Sequence, residues 1–236
     1  MSSIQQNIEH ITSQIHSAEQ KCGRARDSVQ LLAVSKTKPN QAILEAAQAG
    51  QQMFGENYVQ EGVDKVQFFN HNHPDLTIEW HFIGPIQSNK TRHVAEHFAW
   101  VHTIDRAKTA QRLNDQRPEH MPALQVLLQV NTSGEPSKSG LDTDQIFELA
   151  ELISRLPNLK LRGLMSIPAN VTDYNSQLAA FKQLAELKDQ LSEKHPDLDT
   201  LSMGMSGDME AAIEAGSTIV RIGTAIFGAR DYANKN

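Results

Sequence analysis

A lysine closely follows an apolar run near the start of the chain. The run LLAV (31–34) is typical of a buried β-strand, and Lys36 comes two residues after it. A lysine whose stem is lined by apolar neighbours is partly desolvated, which lowers the pKa of its ammonium and frees the neutral amine that attacks a carbonyl carbon. The plain alternative is a strand-end lysine that reaches solvent, and from position alone that is the commoner case.

Two glycine-rich segments near the C-terminus could hold an anion. They are SMGMSGDME (202–210) and RIGTAIFG (221–228). Glycine and serine let backbone N–H groups approach a phosphate, and the helix predicted within the first segment would point its N-terminus inward. The groups that could contact the anion are the hydroxyl of Ser206 and the amides of Gly223 and Thr224. Glycine-rich turns alone are weak evidence for an anion site, because the loops of α/β proteins need glycine for their geometry.

Short apolar runs alternate with helical stretches along the whole chain. Eight runs are predicted as strands, within 31–37, 53–57, 79–84, 100–104, 123–131, 159–167, 200–204 and 217–223. Strict alternation with helices predicts parallel strands joined by crossover helices. Eight such units favour a single closed (β/α)8 barrel of the TIM type, and an open doubly wound sheet is the alternative.

The first 20 or so residues predict an extra helix before the first strand. Isoleucine recurs there at helical spacing, at Ile4, Ile8, Ile11 and Ile15. No linker or low-complexity tract divides the chain, so we expect one domain spanning 1–236.

In a barrel of this kind the C-terminal ends of the strands form the active face. Lys36 and both glycine-rich segments then lie on that face, together with Arg221 at the end of the last strand. A structural salt bridge is the plain alternative for Arg221. A lysine that forms a Schiff base, a phosphate cradle and a cation near a ring nitrogen are together the constellation expected for pyridoxal 5′-phosphate.

Composition excludes several other classes of protein. The chain has 236 residues, a net charge of -6 and no basic run, which argues against a general nucleic-acid surface. The single cysteine, Cys22, suits a reducing compartment. We find no signal peptide, membrane span, metal-ligand motif or nucleotide-binding fingerprint, and therefore expect a cytoplasmic protein without a metal or a membrane partner.

The chain resembles the pyridoxal phosphate homeostasis protein family. The matching segments are spread over nearly the whole chain: LLAVSKTKP (31–39), FGENYVQE (54–61), WHFIGPIQSNK (80–90), RGLMSI (162–167), LSMGMSGDME (201–210) and VRIGTAIFG (220–228). This family is similar to the barrel domain of bacterial alanine racemase, a fold-type III pyridoxal phosphate enzyme, without that enzyme's additional β-domain.

The resemblance implies roles for eight residues. Lys36 would carry the Schiff base and Arg221 would face the pyridine nitrogen. Three residues would hold the phosphate, namely Ser206, Gly223 and Thr224. Three more would lie beside the ring, namely Asn57, Met165 and Ser166. These last three also have plain alternatives as a turn or cap residue, a core methionine and a strand-end hydroxyl, respectively.

Three functions are consistent with these residues. The resemblance favours a protein that stores, buffers or delivers pyridoxal phosphate. The second is an amino-acid racemase, and the third is a phosphate-binding barrel enzyme in which Lys36 acts as a base or an aldolase-type amine. We expect no substantial racemase turnover, because racemisation usually needs two opposed bases. In the resembling racemases the second is a tyrosine from the additional domain, and the sequence places none of Tyr58, Tyr174 and Tyr232 opposite Lys36.

The candidate partners are pyridoxal phosphate and the apoenzymes that depend on it. Release of a covalently held aldehyde needs a second amine, for which Lys38 and Lys138 are candidates; solvated lysines are the alternative for both. We expect a monomer, because fold-type III racemases dimerise partly through the additional domain.

Overall fold

Eight parallel strands close into a barrel in sequence order. The structure is a computed structural model, which describes residues 2–136 and 139–229. Each strand pairs with the next one along the chain, and the last pairs with the first. The strands are β1 (Gln30–Val34), β2 (Met53–Glu56), β3 (Glu79–Phe82), β4 (Trp100–Ile104), β5 (Leu124–Val130), β6 (Leu159–Ser166), β7 (Thr200–Ser202) and β8 (Ile219–Ile222). The predicted closed barrel is confirmed, and the open sheet was the wrong alternative.

Helices alternate with the strands around the outside of the barrel. They are α1 (Ile4–Lys21), α2 (Asn40–Gln48), α3 (Val59–Asn72), α4 (Thr91–His97), α5 (Ala107–Gln116), α6 (Thr143–Ser154), α7 (Tyr174–Ser192), α8 (Met209–Ala215) and α9 (Thr224–Phe227), with a 3₁₀ helix at Ser88–Lys90. Across 2–136 and 139–229, no helix combines the length and the apolar character needed to cross a membrane.

The predicted N-terminal helix is present as α1. It begins with a capping box, in which the Ser3 hydroxyl accepts from the Gln6 backbone N–H (3.1 Å) and the Gln6 side chain accepts from the Ser3 backbone N–H (3.0 Å). Its isoleucine stripe is buried, and the helix packs against α2, α8 and α9. The stripe therefore covers the outside of the barrel next to its last strand.

The core has two parts with different character. The larger part lies between the strands and the helices and is apolar. Inside the barrel there are two small apolar clusters, one of Leu32, Ile83 and Ile219 and one of Trp100, Leu127 and Met165. Four buried polar side chains are hydrogen-bonded in series in the same interior, namely His81, His102, Ser202 and Arg221. The interior is thus partly polar, unlike the branched aliphatic layers usual in such barrels.

A β-bulge in β6 decides which of its side chains face inward. Leu161 and Gly163 pair with consecutive residues of β5, so Arg162 is the extra residue. The bulge reverses the alternation along the strand. Beyond it, Leu164 faces the helices and Met165 faces the barrel interior.

The turn after β1, which carries Lys36, is held by a buried ion-pair cluster. The Lys65 ammonium on α3 donates to the Ser35 carbonyl (2.7 Å), to Glu56 Oε1 (2.8 Å) and to Glu61 Oε1 (2.7 Å). The Lys65 and Glu56 side chains are 6% and 0% exposed. Burial raises the pKa of the Glu56 carboxyl even though Lys65 opposes that effect. We refer to Lys65, Glu56 and Glu61 as the β1 clamp.

The clamp holds the chain on both sides of Lys36. On one side, the Ser35 hydroxyl donates to Glu56 Oε1 (2.7 Å). On the other, the Thr37 backbone N–H donates to Glu61 Oε1 (2.5 Å). Thr37 has a φ of 64°, in the left-handed region that a β-branched residue rarely adopts. Such a conformation persists only where the surroundings enforce it, and here Glu61 does so.

We predict that Lys65→Met lowers the free energy of unfolding by about 3–5 kcal/mol. The substitution leaves Glu56 buried without its cation, so the carboxyl must either stay charged in an apolar site or take up a proton. The measurement is urea denaturation followed by circular dichroism.

A surface pair provides the matched control. Lys21 and Glu210 are 3.0 Å apart, with side chains 67% and 55% exposed. We therefore expect Lys21→Met to cost less than about 1 kcal/mol. Equal losses in Lys21→Met and Lys65→Met would show that the clamp contributes no more than a surface pair.

Candidate functional site

A cavity of about 340 Å³ opens at the C-terminal ends of the strands. It is walled by the ends of β1 and β8 and by the segments that follow β1, β2, β3, β6, β7 and β8. The lining residues are Val34, Lys36, Lys38, Asn57, Ile83, Ile167, Met205, Ser206, Gly207, Arg221, Gly223, Thr224 and Gly228. The C-terminal face of the barrel therefore carries a pocket where the sequence predicted one.

Six of the eight residues predicted for the site line this cavity. They are Lys36, Asn57, Ser206, Arg221, Gly223 and Thr224. Met165 and Ser166 are buried and are not part of its wall. Met165 packs against Trp100 and Leu127 inside the barrel, and the carbonyl of Ser166 contacts Arg221 from behind the wall.

The cavity is basic although the protein is acidic. Three cationic side chains line it, those of Lys36, Lys38 and Arg221, and its lining residues include no carboxylate. The chain as a whole has a net charge of -6. Apolar side chains complete the wall, among them Val34 and Ile83. This combination suits an organic anion with an apolar part.

Arg221 is fixed by two hydrogen bonds. Its side chain is in the barrel interior, and the residue is 5% exposed. Nη1 donates to Ser202 Oγ (2.7 Å) and Nη2 donates to the Ser166 carbonyl (3.0 Å). Burial lowers the pKa of Arg221 to about 10, and Asp208 opposes the shift. Arg221 is therefore still a cation at neutral pH, and its two hydrogen bonds set the orientation of its guanidinium.

The two lysines of the cavity are in different situations. Lys36 is half-buried on the turn that the β1 clamp holds. Lys38 Nζ donates to three carbonyls that follow one another at and after the end of α9, those of Phe227 (3.4 Å), Gly228 (3.0 Å) and Ala229 (2.8 Å). Lys138, the other candidate amine, lies outside the described residues.

Two buried polar atoms at the site have no hydrogen-bond partner within the described chain. They are Asn57 Oδ1 and Ser166 Oγ. A buried polar atom without a partner costs about 1–3 kcal/mol. Both residues are among those predicted for the site, but only Asn57 lines the cavity. A polar ligand bound there, or water in its place, would remove the cost at Asn57.

Two glycines bring backbone segments together around the cavity. A Cβ on Gly84 would lie 2.0 Å from the Asn57 carbonyl oxygen, so only glycine allows the two loops to meet there. A Cβ on Gly223 would lie 3.3 Å from the Val34 carbonyl oxygen. The second contact is tight as well, and it places the start of α9 close to the end of β1.

The structure places none of the described tyrosines at the cavity wall. Tyr58 precedes α3 and is 52% exposed. Tyr174, at the start of α7, is 39% exposed and donates to Glu214. Tyr232 lies outside the described residues. Within 2–136 and 139–229 there is also no cluster of three or more side chains that could hold a metal ion.

Sequence reasoning missed the residues that position the site. Nothing in the prediction singled out the β1 clamp or Ser202, the partner of Arg221. Two patterns could have revealed the clamp. Glu56 is a charged residue inside a strand that is otherwise apolar, and Glu61 and Lys65 have the i, i+4 spacing of a helical ion pair.

Comparison with known proteins gives matches over nearly the whole chain. The family model for the alanine racemase N-terminal domain matches residues 6–231. A Vibrio cholerae protein named pyridoxal phosphate homeostasis protein is 77% identical over 233 residues, covering 99% of each chain. The Escherichia coli K12 protein of the same name is 56% identical over 238 residues, covering 100% of each.

A solved structure matches the barrel along its length. PipY of Synechococcus elongatus, solved with pyridoxal phosphate bound, superposes with a TM-score of 0.82 at 35% identity, over 96% of this chain and 100% of that one. The resemblance seen in the sequence is thus confirmed. The chain belongs to the pyridoxal phosphate homeostasis protein family, whose barrel is that of the alanine racemase N-terminal domain.

Proposed function

We propose that this protein binds pyridoxal 5′-phosphate in the cavity as a Schiff base with Lys36. We further propose that it buffers or delivers the cofactor in the cytoplasm and does not turn over a substrate. The observation that carries the proposal is the cavity itself, where three cations and no carboxylate surround a partly apolar space at the C-terminal ends of the strands.

The residues present fit the cofactor group by group. Bound pyridoxal phosphate supplies an aldehyde that condenses with an amine, a phosphate dianion and an electron-withdrawing pyridine ring. Lys36 supplies the amine from a turn held on both sides by the β1 clamp. Ser206, Gly223 and Thr224 supply a hydroxyl and backbone amides at the wall, where a phosphate would be bound.

The ring would lie between Asn57 and Arg221. Asn57, which follows β2, lines the cavity, whereas Ser166, at the end of β6, lies outside its wall. Arg221 would face the ring nitrogen. A guanidinium can only donate hydrogen bonds, so it favours a ring nitrogen that carries no proton.

The rim of the cavity supports a role in delivery. Ile167 and Met205 line the cavity and are 45% and 44% exposed, and Tyr58 is exposed beside Asn57. Exposed apolar side chains around a pocket are typical of a surface that a protein partner covers. We therefore propose that apoenzymes that need pyridoxal phosphate are the partners of a monomeric carrier. Lys38 and Lys138 stay candidates for the releasing amine.

Amino-acid racemisation is the main alternative, because the fold is that of a racemase domain. Lys36 could move a proton on one face of a bound amino acid, but a second group is needed on the other face. The described lining contains no tyrosine, histidine, cysteine or carboxylate. Its other amine, on Lys38, is already bonded to three carbonyls.

We predict that Lys36→Ala abolishes the visible absorbance band that forms when pyridoxal phosphate is added to the native protein. The band reports the Schiff base, which alanine cannot form. Lys38→Ala is the matched control, because it removes an amine from the same cavity and should keep the band. A band of native intensity in a folded Lys36→Ala protein would refute the assignment of Lys36.

We predict that alanine does not undergo inversion on this protein at enzyme-like rates. The measurement is exchange of the α-proton of L- and D-alanine in deuterated water, followed by NMR and chiral analysis. We expect rates far below about 1 s⁻¹, the lower end of typical turnover numbers. Sustained inversion at or above that rate, lost in Lys36→Ala, would establish a racemase instead.

A further inference from the structure

A chain of hydrogen bonds crosses the barrel interior from one end to the other. It begins at Glu79, whose side chain is 44% exposed at the N-terminal end of β3. Glu79 Oε1 lies 2.7 Å from His81 Nε2, and His81 Nδ1 lies 2.8 Å from His102 Nε2. His102 Nδ1 lies 2.9 Å from Ser202 Oγ, which accepts from Arg221 Nη1 at 2.7 Å. The chain thus ends at the guanidinium that lines the cavity.

The chemistry of the two ends gives this chain a direction. A guanidinium only donates and an ionised carboxylate only accepts. With Ser202 Oγ accepting from Arg221, its hydroxyl proton is available to His102 Nδ1. His102 then donates from Nε2 to His81 Nδ1, and His81 donates from Nε2 to Glu79. All four hydrogen bonds are satisfied with both imidazoles neutral and protonated on Nε2.

The opposite direction would require a charged histidine. If His102 donated to Ser202 from Nδ1, His81 would have to donate from both of its nitrogens and become an imidazolium. Both histidines are fully buried. Burial lowers the pKa of His81 more than Glu79 raises it, and it lowers the pKa of His102 well below its usual value. The hydrogen bond from His81 lowers the pKa of Glu79, which is thus an acceptor.

The side chains packed around this hydrogen-bond chain offer it few other hydrogen-bond partners. The indole of Trp100 stacks on His81, with ring centroids 5.1 Å apart and planes 9° apart. Trp100 also belongs to one of the two apolar clusters inside the barrel. Leu32 on β1 and Ile219 on β8 belong to the other apolar cluster. Polar groups in such an interior are bound to one another, and each fixes the orientation of the next.

We propose that His102 and Ser202 are positioning residues, which hold the Arg221 guanidinium toward the bound cofactor by a one-way hydrogen-bond chain anchored on Glu79. The inference rests on the proposed function, since it assigns a task to Arg221 in the pyridoxal phosphate cavity. Ser202 Oγ and the Ser166 carbonyl accept hydrogen bonds from the two Nη atoms of Arg221. His102 accepts the Ser202 hydroxyl proton, so that an oxygen lone pair of Ser202 faces Arg221.

The first test needs no cofactor. Long-range ¹H–¹⁵N correlation spectra of histidine-labelled protein report which ring nitrogen carries the proton. His81 and His102 should both be neutral Nε2–H tautomers at neutral pH, with assignments made from His81→Gln and His102→Gln. An Nδ1–H tautomer or an imidazolium at either position would overturn the one-way chain.

The second test is a double-mutant cycle on affinity for pyridoxal phosphate, measured by absorbance titration. His102→Leu should weaken binding by roughly tenfold in the native background and have little effect beside Arg221→Gln, because His102 acts through Arg221. Ser202→Ala should behave in the same way. His102→Gln, whose amide can both accept and donate, should recover much of the loss.

The outcomes separate the two proposals. Equal losses from His102→Leu and Ser202→Ala in both backgrounds would overturn the positioning role and leave the proposed function standing, provided that the native protein forms its adduct on Lys36. A native protein that binds no pyridoxal phosphate would overturn both.

Discussion

The candidate site depends on the Lys65 ammonium and the two carboxylates that it joins. Glu56 comes from the end of β2 and Glu61 from the first turn of α3, and both meet Lys65 one turn further along that helix. Without this cation, β2 would end in a buried uncompensated carboxylate, and the Ser35 carbonyl would lose its bond from Lys65. Glu61, which accepts from Thr37 in its left-handed conformation, would lose the partner that holds its carboxylate in place. The position of Lys36 follows from these bonds, since it has an anchored residue on either side.

In the barrel interior too, hydrogen-bonded polar side chains take the place of apolar packing, and they fix the orientation of one another. A row of branched aliphatic side chains would fill the space at lower desolvation cost. Instead, a series of polar groups runs from the half-exposed Glu79 to the buried Arg221, and each donor meets an acceptor. Fully satisfied networks of this kind fix side-chain geometry. Here the network fixes the Arg221 guanidinium at the wall of the cavity.

Much of the fold and part of the site could be predicted from the sequence. Alternation of apolar runs with amphipathic stretches is a local pattern, so the eight strands and the N-terminal helix were identifiable from it. The rule that parallel strands present their C-terminal ends on one face brought Lys36, Arg221 and the glycine-rich segments together. The structure shows the same grouping around one cavity.

Other features depend on contacts between residues that are distant in sequence, or on register. The hydrogen bond of Lys65 to the Ser35 carbonyl joins residues 30 positions apart, and no local pattern indicates it. The inward orientation of Met165 depends on one extra residue at Arg162, and nothing in the strand's sequence marks the bulge. Ser202 is an unremarkable serine until β7 and β8 bring it next to Arg221.

We propose that one lysine, Lys36, which is held by the β1 clamp, bonds the cofactor covalently. The bond is tested most directly by adding pyridoxal phosphate to the native protein at neutral pH, reducing the complex with borohydride and mapping the modified peptide by mass spectrometry. We expect a single pyridoxyl group on Lys36 at stoichiometric cofactor. Modification of Lys38 or another lysine in preference to Lys36, or no stable modification, would contradict it.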